Sequence, residues 1–80
     1  MNPNWKAGDA IRPRDTVMNR RCGISPDQSW GHVCFVDQRD ISFYLQRTLW
    51  TGAIEGRCDL ATFAMNFEHD RFRLLNVLLF

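Results

Sequence analysis

Five side chains of the kinds that ligate metals or activate one another are scattered along this 80-residue chain: Cys22, His32, Cys34, Cys58 and His69. Zinc would be the natural guest, since thiolate and imidazole are its preferred ligands. His32 and Cys34, two residues apart, would fall on one face of a strand, which suits ligation. No Cys-x-x-Cys or equivalent pair accompanies them, and that pair is the strong mark of a structural zinc site. The set therefore reads as buried thiols and semi-exposed histidines, and no metal or other cofactor is expected. Cys34 with His32 or His69 would make a thiol–imidazole pair, but nothing supplies a third, orienting group or an oxyanion hole. Gly52 and Gly56 are too sparse for a phosphate cradle, and no Gly-Lys-Ser/Thr follows them. Asp37 and Asp40 fall in a polar turn whose solvated chemistry accounts for them. No enzymatic role is expected.

Binding chemistry is better represented. Nine of the ten cationic residues are Arg, whose planar guanidinium grips carboxylate or phosphate and stacks on aromatic rings. Arg12, Arg14, Arg20 and Arg21 cluster near the start of the chain. Trp30, Tyr44 and Trp50 are of the type that stacks bases, and Arg with Trp is also the pair that most often anchors protein interfaces. The last residues, Asn76-Val77-Leu78-Leu79-Phe80, form an apolar tail that must cover the domain's own core or another molecule. Arg12, Arg14, Arg20, Arg21, Trp30, Trp50 and Phe80 are thus the candidate binding residues.

The elements that must position them are short. Residues 1–7 read as a lead-in that pins Trp5 to the body, and Gly8-Asp9 as a turn. Ala10 to Arg12 begins a strand that Pro13 interrupts, so this strand is expected at an edge or bent. Thr16-Val17-Met18 has strand composition, and residues 19–30 read as a long loop. Trp30 to Val36 is a strand with Val33 and Phe35 on one face and His32, Cys34 and Val36 on the other. A turn at residues 37–40 leads into Ile41 to Leu45, in strict alternation, continuing toward Thr48, Leu49 and Trp50. Gly52 and Gly56 then mark a loop. Beyond Asp59 the preferred reading is a strand over Leu60 to Met65, a helical turn at Asn66 to Asp70 and a strand over Arg71 to Leu75. Phe72 and Leu74 would then face inward. The alternative is one helix, capped by Asp59, running to about Leu75, which would make the fold α+β.

Size and charge bound the function. The chain is expected to form one domain over residues 1–80, with a 1–7 lead-in and a 76–80 tail. Three Trp, one Tyr and six Phe supply a core. Three cysteines, an odd number, argue against a secreted disulfide framework and for a reducing cytoplasm. No signal peptide or membrane span is read. A net charge of +1 dictates no acidic partner, and with nine carboxylates spread along the chain it argues against the strongly acidic face that a DNA mimic needs.

Gly8-Asp9-Ala10-Ile11-Arg12, Gly31-His32-Val33-Cys34-Phe35-Val36-Asp37, Ile41-Ser42-Phe43 and Asp70-Arg71-Phe72-Arg73-Leu74-Leu75 together resemble the small SH3-like barrels common in phages and mobile elements. The resemblance covers about half the chain. It implies a mainly β barrel of about five strands with a short helical turn before the last. It also implies a binding role. The expected function is non-enzymatic protein binding in the host cytoplasm, as an inhibitor of a bacterial defence complex similar in kind to anti-CRISPR proteins. Such an inhibitor would dock on a protein subunit and exclude nucleic acid. The alternative is a small nucleic-acid-binding or transcription-associated barrel. A homodimer through the tail or a cysteine is a further possibility in either case.

Overall fold

A computed structural model describes residues 4–47 and 52–71 of the chain. Its strands are β1 (Ala10–Pro13), β2 (Trp30–Val36), β3 (Asp40–Gln46), β4 (Ala53–Asp59) and β5 (Phe67–His69). Two short helices, α1 (Val17–Arg21) and α2 (Leu60–Asn66), precede β2 and β5 respectively. The strands form one antiparallel sheet in the order β4-β3-β2-β1-β5. The fold is mainly β, with a short helix before the last strand.

The turn into β1 depends on Gly8, whose φ of +91° lies where a side chain would be strained. Its N–H donates to the Val33 carbonyl at 2.7 Å, and the Asp9 carboxylate accepts from the Lys6 backbone N–H at 2.9 Å. β1 then lies between β2 and β5 rather than at an edge. Pro13 is accommodated because pairing with β2 has already ended at Ile11, and Pro13 stands opposite Phe67 of β5 alone. The missing proline N–H therefore interrupts no inner ladder.

Four expected elements change type. Thr16-Val17-Met18 is not a strand. Thr16 caps α1, its Oγ1 accepting the Asn19 backbone N–H at 3.1 Å, and Val17 and Met18 lead into helix. The expected loop at 19–30 accordingly begins inside α1, and a turn at Gly23 with φ +70° closes that helix. Gly56 is not in a loop but at the middle of β4. A Cβ there would run into the ring of Phe43 on the paired strand, so the glycine is a packing necessity. Leu60 to Met65, expected as a strand, is helix α2, so the helix also comes earlier than preferred. Asp59 caps α2, accepting the Thr62 N–H at 3.4 Å, as the alternative reading had it, but α2 ends at Asn66 rather than near Leu75. Phe67 is extended because it must pair with Pro13 in β5. Residues 67–69, expected as a helical turn, are strand. Phe72, Leu74 and the strand expected over them lie outside the described residues, as do Thr48, Leu49 and the tail.

One face of the sheet and the two aromatic residues Phe63 and Trp5 enclose the core. Ile11, Val33, Ile41, Leu45 and Phe63 are fully buried, with Trp5, Ile24, Phe43 and Phe67 nearly so. The lead-in is held by Trp5, stacked on His69 at 4.1 Å and edge-on to Phe63 at 4.8 Å. A polar knot ties α1 to the end of α2. The Asn19 side-chain amide donates to the carbonyls of Arg14 and Asn66, both at 2.9 Å, and the Thr16 hydroxyl donates to Asn66 Oδ1 at 2.7 Å. Buried amides of this kind are tolerable only when so satisfied.

Candidate functional site

β3 alternates strictly: Ile41, Phe43 and Leu45 are buried, while Asp40, Ser42, Tyr44 and Gln46 are half-exposed on the opposite face. The register places His32 and Glu55 on either side of Tyr44, and Trp30 beside Gln46. The rings of His32 and Tyr44 stack with centroids 5.4 Å apart and planes 25° apart. Trp30, His32 and Tyr44 thus form an aromatic strip along the outer face of β2 and β3.

Phe35 extends that strip because of a bulge. Val33 pairs with Phe43, but Phe35 pairs with Ser42 and Val36 with Ile41, so the register shifts between Val33 and Phe35. One extra residue in β2 reverses which side the following residues face. The expectation that Val33 and Phe35 share a face is therefore corrected. Val33 is fully buried, Val36 packs against the core, and Phe35 is turned outward, 59% exposed. Its neighbour Cys34 is also exposed. The sequence held a trace of this. Val33-Cys34-Phe35-Val36 offers two apolar parities, and the hairpin partner alone decides between them.

The candidate arginines are brought to the same side of the molecule only in part, and most are engaged. Arg12 Nε and Arg14 Nη1 both approach Glu68, at 3.4 and 3.2 Å, and Arg14 Nε donates to the Phe67 carbonyl at 3.2 Å. Arg20, on α1, grips Asp15 through two hydrogen bonds of 2.8 Å, and that grip holds the Asp15 carboxyl below its ordinary range. Arg57 on β4 binds Asp40 at 3.0 Å. Arg21 is exposed in the last turn of α1. Trp30 begins β2, half-buried. Trp50 and Phe80 lie outside the described residues.

The five possible ligands are dispersed. Cys22 ends α1 and Cys34 sits in the bulge, both exposed. Cys58 is half-buried on β4, where burial, aided by Asp59 and Asp40, pushes its thiol up and keeps it protonated. His32 stacks on Tyr44, and His69 Nε2 meets Asp9 Oδ2 at 2.9 Å. Among the described residues no three His, Cys, Asp or Glu side chains gather as a metal site would need. No helix among them is long and apolar enough to cross a membrane.

Sequence reasoning missed Phe35 and gave His32 a different task. It also missed a second exposed apolar area. Val17 and Met18 on α1 are 65% and 53% exposed, Met65 on α2 is 71% exposed, and Met18 Sδ lies 3.4 Å from the amide of Asn66 next to Met65. Compared with protein-family models, curated proteins and solved structures, the chain finds no match.

Proposed function

We propose that this chain is a small SH3-like barrel that binds another protein, without catalysis, through the outer face of β2 and β3. The strand order supports the barrel: β1 pairs with β5, so the first and last strands lie side by side, and α2 precedes the closing strand as the resemblance implies. Phe35 carries the functional part of the proposal. A bulge turns a large aromatic outward next to the His32–Tyr44 stack, and bulges of this sort re-aim side chains where recognition happens. Exposed aromatics anchor interfaces by losing water against a partner's pocket.

The charge pattern favours protein over nucleic acid. Phosphate binding draws on cations that are free to release counterions, whereas Arg12, Arg14, Arg20 and Arg57 each lie in an ion pair with a carboxylate of the same chain. The resemblance to phage barrels adds the target class: a subunit of a bacterial defence complex, bound in the host cytoplasm so that its nucleic acid is excluded. The His32–Tyr44 stack is the one feature that favours the alternative of single-strand binding.

The test is capture from host cells expressing such a complex, after nuclease treatment, with the wild-type chain and with Phe35→Ser. The expected result is a protein partner retained at moderate salt by the wild type and lost by the variant. Direct binding to single-stranded DNA or RNA that falls steeply with salt, with no protein captured, would replace this reading with the alternative.

A further inference from the structure

The sheet ends on β4, and that edge lacks three of the usual protections, a bulge, proline and lysine. β4 pairs with β3 without a break from Asp59 opposite Asp40 to Ala53 opposite Gln46, so no bulge twists it away. Its sequence, Ala-Ile-Glu-Gly-Arg-Cys-Asp, has neither proline nor lysine, and none of its seven residues is buried. Among the described residues no strand covers its outer edge. An unbroken edge of this length is a template for another strand.

We propose that the occupant is β4 of a second copy of this chain, paired antiparallel about a two-fold axis at Gly56. A two-fold axis makes the interface self-complementary, and the sequence of β4 is complementary to itself in that register. Glu55 stands opposite Arg57 of the second copy, and Arg57 opposite Glu55 of the second copy. Ile54 stands opposite Cys58 of the second copy on the inner face, twice. The neighbouring registers fail. An axis at Glu55 sets two glutamates face to face. An axis at Arg57 sets two arginines face to face and Glu55 against Asp59. Opposite charges directly across a ladder stabilise it and like charges destabilise it.

The monomer leaves the parts ready. Glu55 is exposed and has no ion pair among the described residues. Arg57 uses Nη2 on Asp40, which leaves donors of its fork for a second carboxylate. Ile54 and Cys58 are half-buried, packed against the core from one side, and the second copy covers the other. Two five-stranded sheets become one of ten strands, with Phe35, His32 and Tyr44 open on both copies. The two Cys58 residues stand four residues apart along the ladder, about 13 Å, too far for a disulfide.

Sedimentation of the full chain in reductant, from about micromolar to millimolar, tests this. The wild type should dimerise reversibly. Glu55→Arg sets Arg against Arg and should weaken dimerisation by about tenfold or more, while leaving the Arg57–Asp40 pair intact. Arg57→Glu should do the same. Mixing the two variants sets every charge against its opposite and should restore a heterodimer. Circular dichroism confirms that each variant is folded. A wild type that stays monomeric throughout would overturn the proposal. So would a dimer that Glu55→Arg leaves unchanged, one that reductant abolishes, or one that depends only on Val77 to Phe80.

Discussion

The two faces of the sheet use the same residue types to opposite ends. On the inner face Phe43, Phe63 and Phe67 lie with ring centroids 4.7 to 5.3 Å apart, and Trp5 closes on them from the lead-in. On the outer face His32 and Tyr44 stack at a similar 5.4 Å, yet His32 is exposed, Tyr44 only half-buried, and Phe35 stands 59% exposed. The pairwise geometry is nearly alike. What differs is desolvation. An inner ring has lost water on every side, contributing about 1.5–3 kcal/mol by burial. An outer ring keeps most of that contribution in reserve for a partner. Aromatic content alone therefore says little about role; the side of the sheet assigns it.

The sharpest way to probe that contrast is to delete matched rings. Phe63→Ala removes a fully buried ring that touches Trp5, Phe43 and Phe67. It should cost about 3–5 kcal/mol, enough in so small a domain to abolish the cooperative transition in a urea melt. Asn19→Ala comes next. It strips the donor from the carbonyls of Arg14 and Asn66 and should destabilise by about 1–3 kcal/mol, seen as a lower denaturation midpoint with an unchanged slope.

A smaller effect is expected from acid at the rim of the inner cluster. Burial pushes the Asp9 carboxyl up, but the hydrogen bond with His69 and the one from the Lys6 N–H outweigh it, so Asp9 lies below its ordinary value of 3.8. A depressed carboxyl contributes stability that is present above the unfolded value and is lost as pH falls through the folded one. Melting temperature should therefore drop as pH falls from about 5 to about 3, and Asp9→Asn should flatten that dependence. An Asn variant with the wild-type acid slope would remove Asp9 from the account. The smallest effect on the fold belongs to the outer face. Phe35→Ser should shift stability by no more than about 0.5 kcal/mol while eliminating partner capture. A large loss of stability there would collapse the distinction between the faces.

Much of the scaffold was legible. The Gly8-Asp9 turn, the hairpin of β2 and β3 with its polar turn, and the burial of Trp5 follow from turn chemistry and alternation, which act between near neighbours. Asp59 as a helix cap was legible too, though only as an alternative, because Leu60 to Phe67 fits both a strand and a helix. The site was far less so. Arg12, Arg14 and Arg20 read as available cations, yet two of them meet Glu68, more than fifty residues away. Trp30 falls on the outer strip, while Phe35, exposed on it, read as sharing a face with Val33, which is buried.

Composition and local alternation are enough to make this chain a mainly β domain with an aromatic core, because those properties add up residue by residue along the chain. The side on which Phe35 emerges, the carboxylate that satisfies each arginine and the strand left at the edge of the sheet are settled only by register and strand order. A single extra residue in β2 inverts a face, and a salt bridge between residues 14 and 68 exists only once β1 and β5 lie side by side.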